Sequence, residues 1–334
     1  MHRLSLVRGL RSAGARLRAA SLGAAVLYGL AAQPAAAETE FFRIATAGET
    51  GSYFPVGQAL ARAVSQPPDL VVSAITSNGS VANVEAIAGG AVESALVQAD
   101  VAHWAQAGTG AFEARGAQPG LRAIAALYPE AVQLVVRKDS GIAGVESLAG
   151  KRISVDEPGS GTLADVRLIL AAHDRSERDF EAQYFKADLA ARMVGDGYLD
   201  GFFFVGGFPS EAIAALAARK PGEIALLPLT GPAVTRLLRE NPFFAPIRLP
   251  VNTYPQIEAV TTVGVRALWL TGAEQPADLV ERLTAALWSE VGRAALDAGP
   301  AQARAIRLET ALDGLSLPLH PGAEAFYRKA GLIK

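Results

Sequence analysis

Arg152-Ile153-Ser154-Val155-Asp156-Glu157-Pro158-Gly159-Ser160-Gly161-Thr162 passes from strand to helix through a tight glycine-serine turn. Residues 152–155 read as a strand and 163–172 as a helix. An earlier stretch repeats the arrangement: Ser77-Asn78-Gly79-Ser80 stands between an apolar strand at 70–75 and a helical run at 81–88. A turn of this kind aims unpaired backbone N–H groups, and the positive end of a helix dipole, at one point. Glycine admits close approach to the backbone, and serine or threonine caps the helix or offers a hydroxyl. Each turn alone is an ordinary capped helix start. Two of them in one chain predict a pair of facing anion-binding surfaces.

Working outward, strand and helix patterns alternate. Strands are expected at 42–45, 70–75, 95–98, 121–127 and 133–137, and helices follow the first three. A second set holds strands at 152–155, 181–185, 202–205 and 224–228. Phe202-Phe203-Phe204-Val205 is apolar at every position, as in a sheet covered on both faces. Residues 241–255 carry proline and aromatics and read as an irregular crossover. A strand at 261–267 and a helix at 276–291 follow, the helix aligning Leu279, Leu283, Leu287 and Val291 on one face. Alternation of this kind predicts right-handed βαβ units and a parallel-rich sheet. The fold class is therefore α/β, in two lobes. Each lobe is a mostly parallel sheet flanked by helices, with the ligand cleft between them. Lobe 1 is expected over 38–132 plus 258–334 and lobe 2 over 133–257.

Residues 1–37 read as a secretory signal. Arg3, Arg8, Arg11, Arg16 and Arg18 precede an apolar stretch from Ala19 to Ala32, and Ala35-Ala36-Ala37 supplies small residues before Glu38. The apolar stretch is short of the about 20 residues a membrane span requires. Without the five arginines of this leader, 26 basic side chains face 33 acidic ones, which argues against a nucleic-acid partner. The chain has no cysteine, so disulfides, thiolate metal sites and a lipid-modified terminus are excluded. A soluble, exported product that is not lipid-anchored is the expectation.

Candidate ligand-binding residues follow from position. Tyr53 ends the loop Gly48-Glu49-Thr50-Gly51-Ser52 and offers a phenol. Ser80 and Asn83 lie three apart at a helix start, on one face. Gln98 ends a strand where open α/β sheets bind ligands. Ser160, Gly161 and Thr162 are the counterparts on the second turn. Gly206 and Gly207 end the apolar strand and offer backbone. His103, His173 and His320 are far apart, without ligand-like spacing. Neither Gly-x-Ser-x-Gly nor a phosphate loop ending in Gly-Lys-Ser/Thr occurs. No catalytic residue, metal site or cofactor is expected, although fold alone leaves an enzyme or a sensory receptor as alternatives.

Six segments in order resemble the TAXI family of solute-binding receptors of TRAP transporters. They are Ala45-Thr46-Ala47-Gly48-Glu49-Thr50-Gly51-Ser52-Tyr53-Phe54-Pro55-Val56-Gly57, Ser77-Asn78-Gly79-Ser80-Val81-Ala82-Asn83 and Val97-Gln98-Ala99-Asp100-Val101-Ala102, then Pro158-Gly159-Ser160-Gly161-Thr162, Leu249-Pro250-Val251-Asn252-Thr253-Tyr254-Pro255 and Pro318-Leu319-His320-Pro321-Gly322-Ala323. The chain departs from the family pattern at Asp156-Glu157-Pro158, where Gly-Pro-Pro is usual. The departure sets two acids beside the second turn. The resemblance implies a two-lobed periplasmic-binding-protein-like fold (type II), and a periplasmic receptor that closes on a small organic anion, glutamate-like or 2-oxoglutarate-like. It implies delivery to membrane permease subunits driven by an ion gradient.

Overall fold

The computed structural model describes residues 39–334; the leader expected over 1–37 lies outside the described residues. Strand and helix alternate at first as the pattern predicts: β1 (Glu40–Ala45), α1 (Tyr53–Val64), β2 (Leu70–Ile75), α2 (Ser80–Ala88), β3 (Ser94–Gln98) and α3 (Ala99–Ala107). A long strand, β4 (Leu121–Arg137), follows. Then come β5 (Arg152–Ser154), α4 (Gly161–Ala172), β6 (Glu181–Gln183), α5 (Ala187–Gly195), β7 (Gly201–Gly206), α6 (Glu211–Arg219), β8 (Ile224–Leu227) and α7 (Pro232–Glu240). The chain returns through β9 (Ala245–Leu249) and a second long strand, β10 (Val260–Gly272). It finishes with α8 (Ala277–Leu287), α9 (Glu290–Asp297), α10 (Ala301–Arg304) and α11 (Pro321–Lys329).

All strands join one 10-stranded sheet, in the order β2-β1-β3-β10-β4-β7-β5-β6, with β8 on β4 and β9 on β10. The parallel pairings lie towards the two ends: β1 with β2 and β3, β5 with β6 and β7. The centre is antiparallel because β4 and β10 run through both halves. Residues Leu121 to Ala131 of β4 pair with Gly272 to Gly264 of β10, and from Ala131 onward β4 pairs with β7. The crossing is tight. A Cβ on Gly264 would stand 2.2 Å from the Glu130 carbonyl oxygen, so only glycine fits.

Helices cover both faces of both halves, and strand alternation sorts the side chains. In the first half Phe42, Ile44 and Trp269 pack with Leu60, Leu283 and Tyr327, while Val97, Leu268 and Leu270 pack with Val84, Val101 and Trp104. In the second half Phe203 and Val205 face Val166, Ile169 and Val234, whereas Phe202 and Phe204 face Ala190, Ile213 and Leu216. Two buried faces explain the unbroken apolar run at 202–205. Both halves belong to one compact unit, Glu38–Lys334.

Three local expectations are corrected. The strands expected at 121–127 and 133–137 are one strand, because Tyr128, Pro129 and Glu130 stay extended across the crossing. The crossover at 241–255 contains β9, paired antiparallel to β10. The helix expected over 276–291 ends at Leu287. Ser289 then caps α9 by accepting from the Gly292 amide at 3.0 Å. Leu279, Leu283 and Leu287 are buried, but the new helix direction leaves Val291 exposed.

Candidate functional site

The two glycine-serine turns meet. Ser160 accepts from the Leu163 amide at 3.0 Å and so caps α4. Gly79, at φ +107°, leads into α2. Facing each other, the turns exchange main-chain and side-chain contacts: the Ala82 amide donates to the Gly159 carbonyl at 3.0 Å and Asn78 Nδ2 to the Pro158 carbonyl at 3.4 Å. A Cβ on Gly79 would touch Ser160 Cα at 3.4 Å. Lys186, just before α5, pairs with Glu157 at 3.0 Å and donates to the Ser77 carbonyl at 3.4 Å. The two halves of the sheet are thus clasped at this edge.

Behind the clasp lies a buried polar cluster. Tyr53 Oη donates to Glu130 Oε2 at 2.9 Å and stands 3.4 Å from Ser80 Oγ. Ser80 Oγ accepts from the Gln98 amide at 3.1 Å and donates to Gln98 Oε1 at 3.2 Å. Gln98 Nε2 reaches the other half and donates to Asp165 Oδ2 at 2.6 Å. Gln98 Oε1 lies against Gly161, where a Cβ would stand 1.6 Å away, so glycine is obligatory for this approach. Tyr53, Ser80, Gln98 and Gly161 are therefore brought together.

The other expected residues serve the frame around that cluster. Thr162 Oγ1 accepts from the Val205 amide at 3.1 Å, tying α4 to β7. The Gly207 amide donates to Ser52 Oγ at 3.0 Å, across the halves. A Cβ on Gly206 would come within 2.8 Å of Ser52 Oγ, and one on Gly207 within 2.9 Å of Tyr128 Cε2, so both glycines are held in tight packing. Asn83 turns inward: its Nδ2 donates to the Thr46 and Leu96 carbonyls at 2.7 Å each and fastens α2 to the end of β1 and the middle of β3. His320 caps α11, accepting from the Gly322 amide at 3.1 Å.

Sequence reasoning missed the acids. Asp100, Glu130 and Asp165 are each at most 1% exposed. Glu130 Oε1 lacks a hydrogen-bond partner, while the Asp100 and Asp165 carboxyls lie against each other and share a hydrogen bond, and the Tyr128 hydroxyl is within reach of Ser52. Among the described residues no Lys or Arg forms an ion pair with any of the three acids. Burial is the main cause lifting each of them: Glu130 is pushed up to about 8, and the charge of Asp100 adds to the rise. Burial and then the neighbouring Asp100 carboxyl hold Asp165 well above the usual carboxylate range. Beside the second turn, burial pushes Asp156 up to about 6, against the hydrogen bond it accepts from the Glu157 amide at 2.8 Å. The signal was present in the sequence: Glu130 and Asp165 are the lone acids of the runs 121–136 and 163–172, which are mostly apolar apart from Arg122, Gln133 and Arg167.

A separate cavity of about 910 Å³ lies against the long strands, lined by His103, Pro129, Phe208, Phe243, Val265 and Arg266. It is largely apolar and includes none of the expected ligand-binding residues. Among the described residues no helix is long and apolar enough to cross a membrane, and no group of three or more His, Asp or Glu is arranged to hold a metal ion.

Comparison with known proteins adds to this geometry. Residues 44–331 match the NMT1-like family. Among solved structures, a protein from Bordetella bronchiseptica RB50 is 19% identical, covers 88% of this chain and 82% of its own, and gives a TM-score of 0.52. PhnD1 from Prochlorococcus marinus (MIT 9301), solved in complex with methylphosphonate, is 12% identical, covers 88% of this chain and 99% of its own, and gives a TM-score of 0.51. At these identities the likeness is one of fold.

Proposed function

We propose a function from one premise: the chain belongs to the NMT1-like family. The protein is an exported, periplasmic solute-binding protein of a transport system. It captures a small polar solute where the two glycine-serine turns meet and delivers it to a membrane permease. The observation that carries this reading is the clasp itself, Ala82 N to Gly159 O at 3.0 Å, with a buried polar cluster directly behind it. The first half, with residues 39–132 and 258–334, and the second, 133–257, act as two lobes. They pivot on β4 and β10 near Glu130 and Gly264. A related fold solved with methylphosphonate supports a small-ligand role.

Closure on the solute is what makes such a protein a switch, because only interactions that differ between the open and closed states shift the equilibrium. Micromolar affinity requires about 8 kcal/mol, and a single exposed helix-end interaction supplies only about 0.3–1 kcal/mol. Hydroxyl, amide and carboxyl partners such as Tyr53, Gln98 and Asp165 must therefore contribute. For the permease, the order of the six segments shared with TAXI receptors supports one of the TRAP type, driven by an ion gradient. The same resemblance favours a glutamate- or 2-oxoglutarate-like solute.

Thermal unfolding of the purified protein against a panel of organic acids, amino acids, amines and sugars tests this. A solute at 100 times its Kd adds about 2.7 kcal/mol and raises Tm by several degrees. A panel in which every member leaves Tm unchanged rejects the reading.

A further inference from the structure

We propose that the cavity of about 910 Å³ at the strand crossing is a binding site for an organic monocarboxylate with an apolar body. The site is separate from the clasp and independent of solute capture there.

Its walls favour an apolar body. β4 and β10 meet at the cavity through Pro129 and Arg266, which stand opposite each other in the sheet. Phe208 and Phe243 line it from the second half of the molecule and His103 from the first. Phe243 is fixed by its neighbours: its ring lies 5.4 Å from that of His103, 5.6 Å from that of Trp104 edge-on, and 5.3 Å from that of Phe244. An aromatic wall held in this way needs little reordering to receive a ligand, and covering it removes apolar surface from water. The volume falls within the roughly 300–1,000 Å³ of small-molecule sites.

Charge selects the head group. None of the lining residues is acidic, and Arg266 is the one lining side chain with a fixed charge. The Arg266 side chain is only 22% exposed. Its Nη2 donates to Asp313 Oδ2 at 2.9 Å, and Asp313, more than half exposed, is not part of the lining. Among the described residues, Arg266 Nε and Nη1 donate to no other group. Two features aim this guanidinium. The pairing of β10 with β4 shifts register between Arg266 and Leu268, and a bulge of this kind redirects a side chain. Gly314, at φ +71°, brings its loop against the arginine stem, where a Cβ would stand 3.8 Å from Arg266 Cγ and Cδ. His103 adds an N–H donor in either tautomer.

Spare guanidinium donors make charge-assisted bonds to a carboxylate. An ammonium finds no acid on these walls. The second carboxylate of a dianion would be left against apolar surface without a partner, which is costly. A single negative charge on an apolar body is what remains.

The test is isothermal titration of the purified protein with octanoate, 4-phenylbutanoate, octylamine and octanol. At least one of the two acids is expected to bind at least tenfold more tightly than the amine and the alcohol. Arg266→Gln is expected to abolish the preference for acid over alcohol. Ala245→Trp, which fills the cavity from β9, is expected to weaken acid binding at least tenfold. The first variant breaks one exposed ion pair and the second alters an exposed position, so both retain the Tm of the parent and report on binding alone. Acid binding that survives both variants, or that Ser160→Ala at the clasp abolishes, belongs elsewhere and overturns the proposal. Octanol binding as tightly as the acids overturns it as well. So does the failure of every probe to bind, and a dimer in sedimentation that Ala245→Trp dissociates would then assign the cavity to a second copy of the chain.

Discussion

Glu130 joins the strand crossing to the buried cluster, and its titration is open to measurement. Its carboxyl moves from 4.5 in the unfolded chain to about 8 in the fold, chiefly through burial. The folded state therefore holds more protons than the unfolded state between these values. Stability from this group is present in full below about pH 4.5 and declines as pH rises to 8. Glu130→Gln keeps an acceptor for Tyr53 and removes the titration. Urea denaturation should show the variant more stable than the parent by up to roughly 4 kcal/mol at pH 8, with little difference at pH 4.5. Equal stabilities at pH 8 would place the Glu130 carboxyl in contact with solvent. At this scale the sequence disclosed the residues of the turns but not the cluster. Ser80, Gln98 and Gly161 stand at punctuation points, where local patterns speak. Asp100, Glu130 and Asp165 converge from positions far apart in the chain, and only the fold assembles them.

The strand crossing governs the level above. Strand periodicity fixed the faces of β7, and the helix starts at Ser80 and Ser160 were marked by glycine and serine. The continuity of β4 was hidden, because Pro129 and Glu130 look like a break in an apolar run. Proline is tolerated there since the strand passes from one partner to another at that point, between β10 and β7. Ser289 likewise ended a helix whose apolar repeat promised another turn, since a capping serine outweighed a single further valine. Gly264 is the element-level test. Gly264→Ala places a methyl 2.2 Å from the Glu130 carbonyl oxygen, and overpacking of this kind costs typically 1–3 kcal/mol. A fall in Tm of several degrees is expected and, on the proposed function, weaker solute binding. An unchanged Tm would show that the crossing has slack.

At the scale of the whole molecule, the alternation of strands and helices was legible from one end of the described chain to the other. The antiparallel centre was not, since pairing direction depends on which distant strands become neighbours. That centre has a calorimetric consequence. β4 and β10 each contribute backbone to both halves, so neither half can lose its strands without stripping the other's edge. Differential scanning calorimetry should record one endotherm whose van't Hoff and calorimetric enthalpies agree. A truncated chain carrying residues 133–257 alone should lack the first part of β4 and all of β10, and display no cooperative melting. On the proposed function, any change of shape is a bending of two shared ribbons, and the fold is kept or forfeited as a single thermodynamic unit.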